Sequence, residues 1–215
     1  GPNILCWRTE FFPKFPGSTG TDWHQVTDYR YANGTPMLKS NTQLVGDIKD
    51  LTVWTCLTDT TIDTGCMRLV RGSHRQNYFD ESKQITKGRD LGYSPVSANT
   101  GFYGYDFAEF KVDPTWNPND DDIVNMEMKA GQCIIFTARC VHGSCPNQSK
   151  TFTRFAFSAR YVPTQTIVYP DQDEFIAHGS KFSLEDYGCV LVSGENTYSH
   201  NRIRNKDNHN NPFTY

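Results

Sequence analysis

The chain has 215 residues, enough to bury one substantial core without disulfides or a second domain. Its formal net charge of −3 carries no basic field of the kind that nucleic acids or anionic membrane surfaces require. Seven cysteines are an odd number, scattered without a C-x-x-C pair, and so read as free thiols of a reducing cytoplasm rather than as a disulfide framework.

The chain opens almost inside a strand, ILCWRTEFF at 4–12, with no basic-then-apolar leader, so an N-terminal part is expected to precede it in a longer protein. Further runs rich in β-branched and aromatic residues follow at 51–57 (LTVWTCL), 67–72 (MRLVRG), 123–128 (IVNMEM), 132–139 (QCIIFTAR) and 153–162 (TRFAFSARYV), separated by Gly, Pro, Asn and Asp clusters. Alternation in the last run puts Phe155, Phe157, Ala159 and Tyr161 on one side and Arg154, Ala156, Ser158 and Arg160 on the other. On a surface sheet the arginine face would be solvated; in a barrel it would be the interior. A short helix is expected only around SLEDYGCVL (183–191). The segment from about 85 to 120 is rich in Gly, Asn and aromatics, and its part at 92–110 is a candidate lid, with an ordered surface loop as the alternative. The polar tail at 199–215 is expected to be extended or partly ordered. No run approaches the length of a membrane span, so a soluble single domain over 1–215 is expected, with an all-β core of jelly-roll or cupin type, long loops and few helices.

Two histidines carry the chemical signal. His24 in TDWHQVTDY and His142 in RCVHGSCP each stand at a strand edge beside a turn, far apart in sequence, so only the fold can bring them together. Arg154 and Arg160 follow His142 closely, and a guanidinium projecting into a barrel is the natural bidentate partner of a dicarboxylate. Cys140 and Cys145 flank His142, but C-x-H-x-x-C is not a structural-zinc spacing and no second cluster completes four ligands. His74, beside Gly72, reads as structural; His178, His200 and His209 lie in late polar segments without a ligand pattern.

The segments TDWHQ, GCMRLVRGSH (65–74), VHGSCP and TRFAFSARYVP resemble the phytanoyl-CoA dioxygenase branch of the iron(II)/2-oxoglutarate oxygenases. More narrowly, PNILCWRTEFFPKFPGSTGTDWHQ, FYGYDF, MKAGQCIIF, ARYVP, DYGCVLVSG and HNRI resemble the aliphatic halogenases of nonribosomal peptide pathways, typified by the syringomycin threonine halogenase. The likeness runs from residue 1 to about 204. It implies a double-stranded β-helix holding iron(II) through His24 and His142, with 2-oxoglutarate, chloride and O₂ completing the centre. The oxygenases add a carboxylate two residues after the first histidine, whereas halogenases carry Ala or Gly there and bind chloride in the vacated position. This chain has Val26, which cannot ligate, and whose β-branch is expected to crowd a halide. Asp28 lies two residues further on, outside the motif.

The resemblance also implies that Arg154 pairs with the far carboxylate of 2-oxoglutarate, with Thr21 and Trp54 beside that co-substrate. Arg160, Glu10 and Thr52 match the polar shell of the halide and its water. Tyr29 and Tyr31 stand where the halogenases have a phenylalanine and an asparagine, a difference expected to alter substrate fit. The implied substrate is an aminoacyl group held as a thioester on the phosphopantetheine arm of a carrier protein. Two other readings stay open: a hydroxylase on the same scaffold, and a non-catalytic barrel that binds a small acid or a carrier protein.

Overall fold

Each of the six expected strands forms, and the turns between them fall where Gly, Pro and Asx residues stand. A computed structural model describes residues 1–27, 29–30, 35–41, 50–83, 107–177 and 180–213. Its strands are β1 (Ile4–Lys14), β2 (Thr21–His24), β3 (Leu38–Ser40), β4 (Leu51–Cys56), β5 (Met67–Val70), β6 (Ile123–Met126), β7 (Cys133–Phe136), β8 (His142–Ser144), β9 (Arg154–Pro163), β10 (Thr166–Val168), β11 (Glu174–Ala177), β12 (Ser180–Ser183) and β13 (Val190–Ser193). Among the described residues the only helical pieces are short 3₁₀ turns, at Ser73–Arg75, Phe107–Phe110 and Asp120–Asp122.

The strands build a jelly roll of the cupin-like kind from two antiparallel sheets, β13-β1-β9-β4-β7 and β2-β8-β5-β6. Small hairpin-like pairs, β10 with β3 and β11 with β12, extend it. β9 is the central strand of the larger sheet, and its alternation resolves in favour of the interior: Arg154, Ala156 and Ser158 are buried, while Phe155 and Phe157 pack on the outer face against Phe11. The main apolar cluster gathers Leu5, Trp7, Val26, Tyr29, Met37 and Val162, and a second gathers Trp54, Cys56, Met67 and Ala156. Burying a side chain of this size contributes about 1.5–3 kcal/mol.

One irregularity in β1 decides what its inner face presents. Against β9 the register runs Cys6↔Tyr161 and then Arg8↔Arg160, so a β-bulge absorbs Trp7. Before the bulge the buried positions are Leu5 and Trp7; after it the less exposed positions are Arg8, Glu10 and Phe12, half-buried, and Lys14, buried, while Thr9, Phe11 and Pro13 are exposed. The extra residue re-aims the strand, and with it three charged side chains, toward the space between the sheets.

The helix expected around SLEDYGCVL is absent. Leu184 is buried as an anchor, residues 185–186 turn, and Cys189 pairs in parallel with Ile203 before β13 begins. Gly188 explains the outcome: a Cβ there would lie 2.9 Å from the Arg204 backbone nitrogen, so the segment is committed to close pairing with the tail. The 67–72 run ends at Val70 because Gly72 adopts φ 74°, a left-handed conformation that favours glycine. His74 is solvent-exposed, correcting its expected structural role; that role falls to Ser73, whose hydroxyl donates to Val70 O (2.7 Å) and accepts from Val141 N (2.8 Å). Residues 92–106 of the candidate lid, and Asp28, Tyr31 and His178, lie outside the described residues.

Gln25 ties the end of β2 to two other segments. It is 3% exposed; its Nε2 donates to Arg139 O (2.6 Å) and Gln76 O (2.8 Å), and its Oε1 accepts from Tyr78 N (2.9 Å). Replacing it with an isosteric apolar group strands several buried backbone groups at once. Gln25→Leu is expected to lower stability by about 3 kcal/mol, measured as a reduced urea midpoint at unchanged slope.

Candidate metal centre and co-substrate cavity

The two sheets enclose a cavity whose wall includes His24, Val26, Thr52, Trp54, His142 and Arg154, together with Thr21, Arg160 and Tyr29. His24 closes β2 and His142 opens β8, and the ladder places the two directly opposite each other. Their ring centroids are 4.1 Å apart. Each Nδ1 lies 2.8 Å from a backbone carbonyl two residues upstream, of Asp22 for His24 and of Cys140 for His142. A carbonyl can only accept, so each Nδ1 carries the proton, leaving an Nε2 lone pair free in both rings. Phe107 stacks on His24 with centroids 4.5 Å apart, and Phe136 meets His142 edge-on at 5.1 Å, fixing the ring planes.

Burial pushes the His24 imidazole down to about 4, helped by the Arg160 guanidinium and opposed by the Asp22 carbonyl. Burial also takes His142 well below its ordinary value, with His24 and Arg160 adding to the effect. Both rings are therefore neutral at physiological pH, the form in which imidazole ligates a metal. Two neutral nitrogen donors side by side, each braced by an outer hydrogen bond, fit a divalent transition metal with several positions open to exogenous ligands. No group of three or more His, Cys, Asp or Glu side chains able to hold a metal occurs among the described residues. Cys145 turns away from His142 toward Cys66, with sulfurs 3.9 Å apart, and all seven cysteines are free.

Val26 is 7% exposed, and its backbone N–H is tied to Ala138 O (3.0 Å). Its side chain lies in the cavity wall, two residues from His24. Thr52 and Trp54, alternate residues of β4, are also buried in the wall. Thr21 is braced by Ser144, whose hydroxyl accepts from Thr21 N (3.1 Å) and bonds Thr21 Oγ1 (2.9 Å).

The arginines of β9 have different surroundings. Arg154 is 3% exposed, sits over the Trp54 ring at 5.2 Å, and donates through Nη1 to Phe12 O (3.1 Å), while its Nε finds no partner. Its neighbours are aromatic rings and thiols, and a buried guanidinium with an orphaned N–H is a receptor for an anion. Arg160 forms a close ion pair with Glu10 and lies over the Tyr29 ring at 5.6 Å. Glu10 also holds Arg8 (2.7 Å), so one carboxylate bridges two guanidiniums, of which Arg160 lies in the cavity wall. Glu10 does not line the cavity; it acts on it through Arg160.

Arg8, Ser144 and Phe107 were not singled out from the sequence. Arg8 had a legible signal, standing two residues before Glu10 and hence on the same strand face. Ser144 and Phe107 had none, because their contacts depend on pairing across the sheet and on a turn distant in sequence.

A model of the phytanoyl-CoA dioxygenase (PhyH) family matches residues 2–156. A phytanoyl-CoA dioxygenase domain-containing protein 1 homolog from Dictyostelium discoideum is 28% identical over 132 residues, 61% of this chain and 41% of its own length. The solved structure of CytC3 with Fe(II) and alpha-ketoglutarate is 31% identical and superposes with a TM-score of 0.69, covering 100% of this chain and 66% of that one. A non-heme monooxygenase, the ThoJ-Ni complex, shares the fold at 23% identity and a TM-score of 0.57, over 98% of this chain and 59% of that one. The chain thus spans less than two thirds of each of these proteins.

Loss of either imidazole should abolish the metal site. His24→Ala and His142→Ala are each expected to weaken Fe(II) binding by more than the roughly 10–100-fold that removal of an outer hydrogen bond costs, read by anaerobic equilibrium dialysis.

Proposed function

The chain belongs to the phytanoyl-CoA dioxygenase family, and on that premise we propose that it is an iron(II)- and 2-oxoglutarate-dependent halogenase, chlorinating an unactivated aliphatic carbon. The observation that carries this reading is Val26 in the cavity wall two residues after His24, where the family's oxygenases place a metal-binding carboxylate. A side chain without a donor leaves the centre one anion short, and Arg160 adds positive potential beside it. A halide answers both conditions.

Iron(II) with 2-oxoglutarate and O₂ supplies the oxidising power, so that R–H, chloride, a proton, O₂ and 2-oxoglutarate become R–Cl, succinate, CO₂ and water. The remaining work belongs to the protein. His24 and His142 supply the two nitrogen donors, held by their carbonyl bonds. Arg154 takes the far carboxylate of 2-oxoglutarate, with Trp54 beneath the guanidinium and Thr21 alongside. Thr52 and Arg160, the latter held by Glu10, form the polar side of the halide position. Tyr29 narrows the substrate side; its hydroxyl donates to Asp50 (3.1 Å), and its φ of 59° is a strained value that tertiary contacts must hold. Phe107 and Phe136 keep water from the imidazoles.

The substrate we assign is an aminoacyl thioester on a carrier protein's phosphopantetheine arm, by resemblance to the halogenases of peptide assembly. A cytoplasmic location accords with seven free thiols. No helix among the described residues is long and apolar enough to cross a membrane.

Incubation with Fe(II), 2-oxoglutarate, O₂, saturating chloride and aminoacyl carrier proteins is expected to give a product with the chlorine isotope pattern; a purely hydroxylated product would overturn the halogenase reading in favour of a hydroxylase. Failure to bind Fe(II) anaerobically with 2-oxoglutarate would favour a non-catalytic barrel. Because the Val26 methyls line the wall, Val26→Ala is expected to tighten chloride binding about tenfold, read from the chloride dependence of the Fe(II)/2-oxoglutarate charge-transfer band, whereas unchanged affinity would place the halide away from residue 26.

A further inference from the structure

The co-substrate end of the cavity holds more positive charge than the assigned roles use. Lys14, the last residue of β1, stands directly opposite Arg154 in the ladder with β9. Both side chains are buried, 8% and 3% exposed. Like charges on directly opposed positions of an antiparallel pair repel, and withdrawal from water sharpens the repulsion. The Lys14 Nζ donates to two neutral acceptors, Thr19 O (2.7 Å) and Cys145 O (3.0 Å), and no carboxylate pairs with it among the described residues.

The groups that face it complete the imbalance. They are Arg154 on β9, Arg68 on β5, and the thiols of Cys66 and Cys145. Arg68 lies over the Trp23 ring at 4.4 Å with its Nε unpaired, so it brings no counter-charge. Burial pushes the Cys66 thiol up to about 12, so it stays uncharged. The Lys14 nitrogen and two guanidiniums meet here, and none of the three forms an ion pair among the described residues. Burial, then the Arg154 and Arg68 guanidiniums, pull Lys14 down to about 7.

We propose that Lys14 is a positioning residue that takes up a proton when the far carboxylate of a 2-oxo dicarboxylate seats against Arg154. The inference rests on the reading that Arg154 receives that carboxylate. The incoming anion supplies negative charge, a proton moves from solvent to the Lys14 amine, which is neutral beside Arg154 until then, and the resulting ammonium and the guanidinium share one carboxylate. The charged ammonium strengthens its bonds to Thr19 and Cys145. Those residues adjoin Thr21 and Ser144, the hydrogen-bonded pair in the cavity wall, so the proton stiffens the wall around the co-substrate.

The sign follows from linkage. A base whose pKa rises on binding makes affinity greatest below its free value and weakens it as pH climbs, by up to about tenfold per unit above pH 7. The test is anaerobic calorimetry of the Fe(II)-loaded protein with 2-oxoglutarate at pH 8, in phosphate and in Tris, whose ionisation enthalpies differ. The expected result is uptake of roughly half to one proton per 2-oxoglutarate. Pyruvate, which chelates without a far carboxylate, should bind with no uptake. Lys14→Gln and Lys14→Arg, one permanently neutral and one permanently charged, should each bind 2-oxoglutarate without uptake and with affinity flat between pH 7 and about pH 9. Heats independent of buffer in the unmodified protein, or uptake persisting in either variant, would overturn the role of Lys14 alone. Absence of 2-oxoglutarate binding altogether would overturn both this inference and the proposed function.

Discussion

The antiparallel pairing of β2 with β8 is the constraint on which the site depends. It sets His24 opposite His142, and a slip of one residue would send one imidazole to the far face of the sheet. The register is held by more than its own short ladder. Gln25 binds the backbone of two neighbouring segments, Ser144 bonds Thr21 at the other end of the strands, and Gly143 lets the strands approach where a Cβ would meet Thr21 O at 2.7 Å. Stability and chemistry are therefore joined in one short stretch, TDWHQV, where Thr21, His24 and Val26 line the cavity and Gln25 binds the scaffold.

Charge is distributed unevenly around this pair. Near the histidines, Glu10 pairs with both Arg8 and Arg160. At the other end, Arg154 and Lys14 are buried with aromatic rings, carbonyls and thiols for company. A protein does not retain a buried guanidinium without a carboxylate partner for stability, since its desolvation is costly. The buried Arg154 guanidinium, with its unpartnered Nε, is suited to receive an anion. The same logic keeps both imidazoles neutral.

The strands were legible because β-branched and aromatic runs bounded by turn residues leave few alternatives, and all six expected runs are present in the sheets. The shorter strands, such as the three-residue β3, β8 and β10, were not, because three residues cannot display a period. The helix expected at SLEDYGCVL shows how local propensity yields to tertiary contact: Gly188 and Cys189 pair with the tail around Arg204, which no local pattern announces. The β-bulge at Trp7 was equally silent. Strict alternation would have placed Glu10 opposite to Trp7 without saying that both face inward.

The sequence by itself determined the chemical inventory, two histidines beside turns and two arginines an even number of residues apart in one strand run, properties of residue type and spacing; that Val26 stands where the oxygenases carry a ligating carboxylate is what the family resemblance implies. Only the tertiary structure decided that the arginine face is the interior, that His24 and His142 are neighbours, and that Lys14 opposes Arg154. Those facts depend on register between strands distant in the chain, which is set by the sum of many packing contacts rather than by any local pattern.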